Sequence, residues 1–428
     1  MLLIKNVNYL NRTGSFQPIE LLIEKERIIL MGESLSSFLV GADIQVIDGQ
    51  WGLLSPGFID LHVHFRQPGG EAKETIKTGS LAAAKGGFTQ VCAMPNLNPV
   101  PDTVERMQTM SNLNQDEACI KVHQYSPISK GLVSETNLVD FEEMVGVGAI
   151  AFTNDGLGVQ CAGLMLEAMK KARQVNRPLV AHTEDNSLLY GGVMHAGCRA
   201  KELELPGISS VTESSQIARD CVLANEAGCH YHVCHVSTKE SVEVIRAAKA
   251  KGVNVTCEVC PHHLILCDED IPSDNGNWKM NPPLRGEEDR QALIEGLLDG
   301  TIDCIATDHA PHTEQEKNQT MLQAPFGIIG SELAFPLLYT HFVLKGIFTL
   351  EQLINWLTIL PARIFNLESS QIEIGSIADL VIIDLKAKST IQSSDLLSKS
   401  KNTPFIGWEL TSRILHTIYQ GEVVYSYE

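Results

Sequence analysis

Eight short apolar runs, each ending in polar residues and most followed by a helix-like stretch, constrain this chain more than any other feature. The runs are Gly57–His64, Gly87–Pro95, Cys119–Tyr125, Gly148–Thr153, Pro178–Glu184, Tyr231–Ser237, Asn254–Val259 and Thr301–Asp308. Between them Thr75–Lys85, Gly163–Gln174, Ser214–Ala227, Glu240–Ala250 and Glu287–Leu298 read as helices. Strand and helix in alternation point to a parallel sheet, because parallel neighbours need a crossover connection. Eight such units predict an α/β fold with a closed (β/α)₈ TIM barrel over residues 53–365. The alternative is an open doubly wound sheet, which would carry a phosphate-binding glycine loop after its first strand. Gly146-Val147-Gly148 is the nearest match, but it precedes a strand instead of opening a helix.

The chain ends follow another pattern. Residues 1–52 and 366–428 read as short strands and turns, with one strand over 378–385 and two more within 414–424. Neither piece can bury a core alone, so the two are predicted to combine into one small β-sandwich domain. The formal net charge of −19 is spread along the chain and argues against nucleic acid and anionic membranes as partners. No apolar stretch approaches the ~18–20 residues of a membrane-spanning helix. Met1–Tyr9 alternates like a strand and lacks the layout of a signal peptide. Eleven dispersed cysteines do not form a disulfide framework, which places the protein in the cytoplasm.

The chemistry concentrates at the ends of the runs. In His62-Val63-His64 the two imidazoles sit two residues apart, so on a strand they face the same way. They end the first run, at the barrel mouth where active sites of this architecture lie. Asp155, His182, His235 and Asp308 occupy corresponding places on four further strands. Imidazole and carboxylate together suit zinc and similar divalent ions, and four histidines with two carboxylates at five strand ends are hard to explain as packing. His232 reads instead as a satisfied core histidine. Cys257 and Cys260 form a CxxC, followed by His262 and His263, but residues i and i+3 on a strand face opposite sides.

Arg66 leaves the first strand beside this cluster and can grip a carboxylate through two parallel hydrogen bonds. Asn96 caps the second strand, Asn281 follows the seventh, and His312 lies on the last barrel loop. That loop, 309–325, is polar and ends at Pro325-Phe326-Gly327; it reads as a mobile lid in preference to a long solvated connection.

With these residues in place, the chain closely resembles the longer, type I bacterial dihydroorotases of the amidohydrolase superfamily. The most specific stretches are Pro56–Arg66, Tyr231–Ser237, and 303–312 with Ala324–Gly327. The resemblance implies zinc-dependent interconversion of (S)-dihydroorotate and N-carbamoyl-L-aspartate in pyrimidine synthesis. It implies His62, His64, Asp155, His182, His235 and Asp308 as ligands of one or two Zn²⁺ ions per subunit, with Asp155 able to bridge. It implies substrate contacts from His64, Arg66, Asn96, Asn281, His312, Phe326 and Gly327, with Asp308 as the proton carrier. It also implies a homodimer, with aspartate transcarbamoylase as a candidate partner. Hydantoinases and many other amidohydrolases bridge their metals with a carboxylated lysine, and Gly148–Gly156 contains no lysine. Two local departures from the family are Asn154, where many relatives carry a second aspartate, and Cys260, where a hydroxyl residue is more usual.

Overall fold

A computed structural model describes residues 1–11, 14–37, 44–134 and 137–427. Residues 12–13, 38–43 and 428, which belong to the expected terminal domain, lie outside the described residues, as do 135–136 of the barrel region. The barrel strands are Phe58–Val63, Phe88–Ala93, Lys121–Ser126, Ala149–Thr153, Leu179–Ala181, Tyr231–Val233, Val255–Val259 and Cys304–Ile305. They hydrogen-bond in chain order, and every pairing is parallel. The first and eighth strands meet through a single parallel bridge, Val63 with His309. Asp60 reinforces that seam: its carboxylate accepts from Thr307 N at 3.0 Å and from Thr307 Oγ1 at 2.5 Å. Burial raises the Asp60 pKa to about 6, against those hydrogen bonds.

The predicted helices form at Ile76–Lys85, Ala162–Gln174, Val211–Ala227, Lys239–Ala250 and Glu287–Leu298. Two open on threonine caps, where Thr75 accepts from Thr78 N and Thr238 from Ser241 N. Each such cap contributes about 1 kcal/mol and fixes where the strand-to-helix loop ends. The lower barrel interior is apolar, built from Ile59, Leu61, Cys92, Met94, Tyr125, Ala151, Val180 and Cys304. Phe365, from the helix Ile359–Phe365, plugs it and meets the Tyr125 ring edge-on at 6.0 Å. With the bottom filled, the open space of the barrel lies at the mouth.

Strands from both termini form one seven-stranded mixed sheet, separate from the barrel. Its central members are Gln45–Pro56 and Leu380–Thr390, paired antiparallel. Both are apolar on two faces for a physical reason. Leu54, Leu380 and Ile382 join the sheet's own core, while Leu53, Val381 and Ile383 pack into the barrel's outer core. Among the described residues, no helix is long and apolar enough to cross a membrane.

Candidate active site

The six residues singled out at strand ends converge. His62 Nε2 lies 3.5 Å from Asp155 Oδ1 and 3.3 Å from Asp308 Oδ1. His64 Nε2 lies 3.4 Å from Asp155 Oδ2 and 3.0 Å from Asp308 Oδ1. His182 Nδ1 and His235 Nε2 each approach the same Asp155 Oδ1 to 3.7 Å. Asp155 therefore shares in two candidate ligand triads, one with His62 and His64 and one with His182 and His235. The pairing register slips between Asp60 and Val63, so strict alternation fails inside the first strand. The His62 and His64 rings nevertheless finish 5.2 Å apart on the same carboxylates.

The electrostatics fit a cation. Burial pushes the Asp155 carboxyl up, yet the imidazoles of His62, His235 and His64 outweigh it and hold the group well below its ordinary range. Asp308 is lowered in the same way by His62, His64 and His235. Burial disfavours charge on His62, but Asp155 and Asp308 raise its pKa well above the usual value. A field that draws a proton onto a buried imidazole is equally satisfied by a divalent ion. His62 Nε2 and Asp155 Oδ1 are buried without a hydrogen-bond partner, whereas most buried polar atoms find one. These residues fit a metal. Three triads, His62/His64/Asp155, His62/His235/Asp308 and Asp155/His182/His235, each bring three ligand atoms within 4.8 Å of one another.

Behind the ligands stand residues that the sequence reading did not single out. Glu258 Oε1 lies 2.8 Å from His62 Nδ1, and its Oε2 lies 3.2 Å from His232 Nε2. That contact leaves the Nε2 lone pair of His62 facing the cluster, the usual partnership of carboxylate, histidine and metal. His232, whose Nδ1 meets Thr256 Oγ1 at 2.8 Å, is a satisfied buried histidine as expected. Glu184 lies 3.6 Å from His182 Nε2 and accepts from Asn281 Nδ2 at 2.8 Å. Asn96 Oδ1 stands 2.9 Å from His64 Nδ1, so Asn96 orients a ligand as well as facing the cavity. Three residues of the site, Arg66, His235 and Asp308, adopt left-handed backbone at φ 61, 33 and 49. Such strain costs about 1–3 kcal/mol each and is held by the surrounding fold.

The cavity at the barrel mouth has a volume of about 200 Å³ and is lined by His64, Arg66, Asn96, Asp155, His182, His235, Asn281, Asp308, His312, Phe326 and Gly327. His62 lies beneath this lining. Two larger clefts, about 600 and 590 Å³, flank the terminal sheet and contain none of the clustered histidines. Arg66 donates from Nε to Pro311 O at 3.2 Å and approaches His312 Nε2 to 3.4 Å. His312 Nε2 also lies 2.8 Å from Phe326 O. Burial first, then Arg66, Lys73 and Lys317, push the His312 pKa down to about 3, so this ring is neutral.

The loop 309–325 makes several tertiary contacts in this structure. Thr313 and Glu316 form a capping box on the short helix Glu314–Lys317, and Lys317 and Met321 are fully buried. Asn402, from beyond the barrel, donates from Nδ2 to Ala310 O at 3.1 Å and Gly327 O at 3.0 Å, and accepts from His312 N at 3.1 Å.

Known proteins resemble this chain along its whole length. A family model described as "Dihydro-orotase-like" matches residues 52–241. A dihydroorotase of Staphylococcus epidermidis is 55% identical over 428 residues, covering 100% of both chains. One from Enterococcus faecalis is 56% identical over 427 residues, covering 100% of this chain and 99% of the relative. Among solved structures, an L-hydantoinase from Arthrobacter aurescens superposes with a TM-score of 0.86 at 24% identity, covering 99% of this chain and 96% of that one. The latter likeness concerns the fold; the former spans every residue of the cluster, and the chain belongs to the dihydroorotase family.

Proposed function

We propose that this dihydroorotase interconverts (S)-dihydroorotate and N-carbamoyl-L-aspartate at the barrel mouth, using Zn²⁺ held by His62, His64, Asp155, His182, His235 and Asp308. The observation that carries this reading is that one cavity of about 200 Å³ is lined by two different groups. One is the cluster of imidazoles and carboxylates; the other is Arg66, His312 and the Phe326–Gly327 turn, joined to one another by short contacts. A ring with a carboxylate on one side and a scissile amide on the other fits those two groups. A bound divalent ion supplies a polarised carbonyl and an activated water at neutral pH. Asp308 takes the proton from the attacking water and delivers it to the ring nitrogen as the C–N bond breaks; in reverse the same group serves ring closure. Arg66 binds the substrate carboxylate, Asn96 and Asn281 orient the ring, and the Phe326–Gly327 backbone closes its far side.

The reading extends to one or two Zn²⁺ per subunit, since Asp155 shares in two candidate ligand triads. It extends to a division into residues 1–52 with 366–428 and 53–365, supported by the separate core of the terminal sheet. Unpaired cysteines suit the reducing cytoplasm. The family resemblance supports a homodimer and association with aspartate transcarbamoylase, which sedimentation of the protein alone and mixed with that enzyme tests.

The test of the activity is a hydrolysis assay on dihydroorotate together with Arg66→Met. The variant raises KM for dihydroorotate and carbamoyl aspartate, because both carry the carboxylate. A hydantoin without a carboxylate is a poor substrate for both proteins and little affected by the change. Equal sensitivity of both substrate types removes the role from Arg66, and a wild type inert on dihydroorotate removes the proposed reaction. Glu258→Gln keeps the shape but loses the charge behind His62, and zinc affinity falls by about 10–100-fold. Chelator competition reads that loss; unchanged affinity means that Glu258 does not tune the centre.

A further inference from the structure

Lys317 is 1% exposed, and its ammonium makes three hydrogen bonds, all to backbone carbonyls. They are Lys279 O at 2.9 Å, Pro325 O at 3.0 Å and Gly327 O at 2.8 Å. A second buried cation stands beside it. Lys279 donates to Ala324 O at 2.7 Å, and its Nζ lies 4.2 Å from the centre of the Phe326 ring. Among the described residues neither ammonium forms an ion pair with a carboxylate. Lysine is almost never fully buried without a paired charge, and removing an ammonium from water costs several kcal/mol even after relaxation.

Both lysines brace one short stretch of chain, Ala324–Gly327, from behind. The front of that stretch, Phe326 and Gly327, is cavity wall. Arg66 lines the same cavity, and Lys73 Nζ stands 3.4 Å from the neighbouring His312 Nδ1. Cationic side chains thus gather about Arg66, His312 and the Phe326–Gly327 wall of a cavity that Asp155 and Asp308 also line. Glu316, paired with Lys73 at 2.8 Å, and Asp274, whose charge favours the Lys279 ammonium, offset them in part. A cavity whose wall holds an excess of positive charge in a low-dielectric setting attracts an anion in front of it.

We propose that Lys317, with Lys279 beside it, determines specificity for a carboxylate-bearing substrate by placing buried positive charge behind the Phe326–Gly327 wall. Lys317 acts through that wall and touches no reacting atom. The inference rests on the dihydroorotase reading of the cavity and deepens it. Burial first, and then Arg66, Lys73 and Lys317, lower the His312 pKa. Burial and then Lys279 lower the Lys317 pKa to about 7, while the three acceptor carbonyls favour the charged amine because each takes one of its protons.

Lys317→Met separates charge from shape. Dihydroorotate KM, and the competitive inhibition constants of orotate and of its neutral carboxamide, are measured on zinc-loaded wild type and variant. The expected result is a roughly tenfold rise in dihydroorotate KM and orotate inhibition constant, a kcat within about threefold, and a carboxamide constant within about twofold. Equal weakening of orotate and carboxamide would show a wall that merely lost its shape, and no weakening of orotate would show a charge without effect; either overturns the proposal. If Lys317→Met does not fold, Lys279→Met is put through the same three measurements with the same criteria. A wild type that fails to turn over dihydroorotate defeats the underlying reading and not this inference, because calorimetric dissociation constants of orotate and carboxamide, measured directly on both proteins with the same criteria, still report on the charge.

Discussion

Asp308→Asn lowers kcat by about 10²–10⁴-fold, the range typical of a lost general acid–base group. The reasons are local. Asp308 Oδ1 lies 3.0 Å from His64 Nε2 and 3.3 Å from His62 Nε2, inside the ligand cluster and facing the cavity. Although burial opposes it, the histidine cluster keeps the carboxyl ionised far below neutral pH, so a proton acceptor is present throughout the working range. Asparagine is the informative replacement because the residue sits at φ 49. Asn tolerates left-handed backbone better than most residues, so the strand end is preserved. Alanine would add backbone strain of ~1–2 kcal/mol and confuse the reading. Steady-state kinetics on protein of verified metal content decides: a variant within a few-fold of wild type means that the proton travels by another group.

The site was legible in the sequence where chemistry and strand ends coincide. His62, His64, His182, His235, Asp155 and Asp308 are unusual residues at the close of apolar runs, and a parallel barrel brings such ends together whatever the details of pairing. The runs themselves were read longer than the ladders. Pro178–Glu184 pairs only over Leu179–Ala181, and of the residues beyond the ladder His182 lines the cavity. The eighth run, 301–308, pairs only at Cys304–Ile305, and its seam is carried by Asp60 and one bridge. Glu258 escaped notice although it interrupts an apolar strand, because a lone acid has no spacing to announce its partner 196 residues away. Lys317 escaped notice for the opposite reason. It sits among Glu314, Gln315, Glu316 and Gln319, a composition that says solvent, and only tertiary contacts turn its side chain onto three carbonyls. Asn402 had no local signal at all, being a tail residue that meets the barrel loop through long-range folding.

Removal of the metal abolishes turnover and lowers thermal stability, and Zn²⁺ restores both. The first effect follows from the chemistry, since an amide carbonyl is a poor target for plain water at neutral pH. The second follows from burial. Without a cation, Asp155 and Asp308 share a closed space with the four imidazoles, and His62 Nε2 and Asp155 Oδ1 lack partners. Those groups then recover stability only by taking up protons, which is a weaker solution than a divalent ion for six ligands. A ligand at 100 times its Kd stabilises the folded state by ~2.7 kcal/mol, which for a chain of this length shifts Tm by roughly 3 °C. The loss is modest because the apolar cores of the barrel and the terminal sheet do not involve the ligands. Chelated protein therefore stays folded, melts a few degrees lower and is inactive, and calorimetric zinc titration reveals one or two binding steps. Asp155 is the residue that decides between them: if it bridges, Asp155→Asn collapses two steps into one or none, whereas a single step in wild type places the ion on one histidine pair alone. Full turnover by protein shown to be metal-free would end the metal-dependent mechanism.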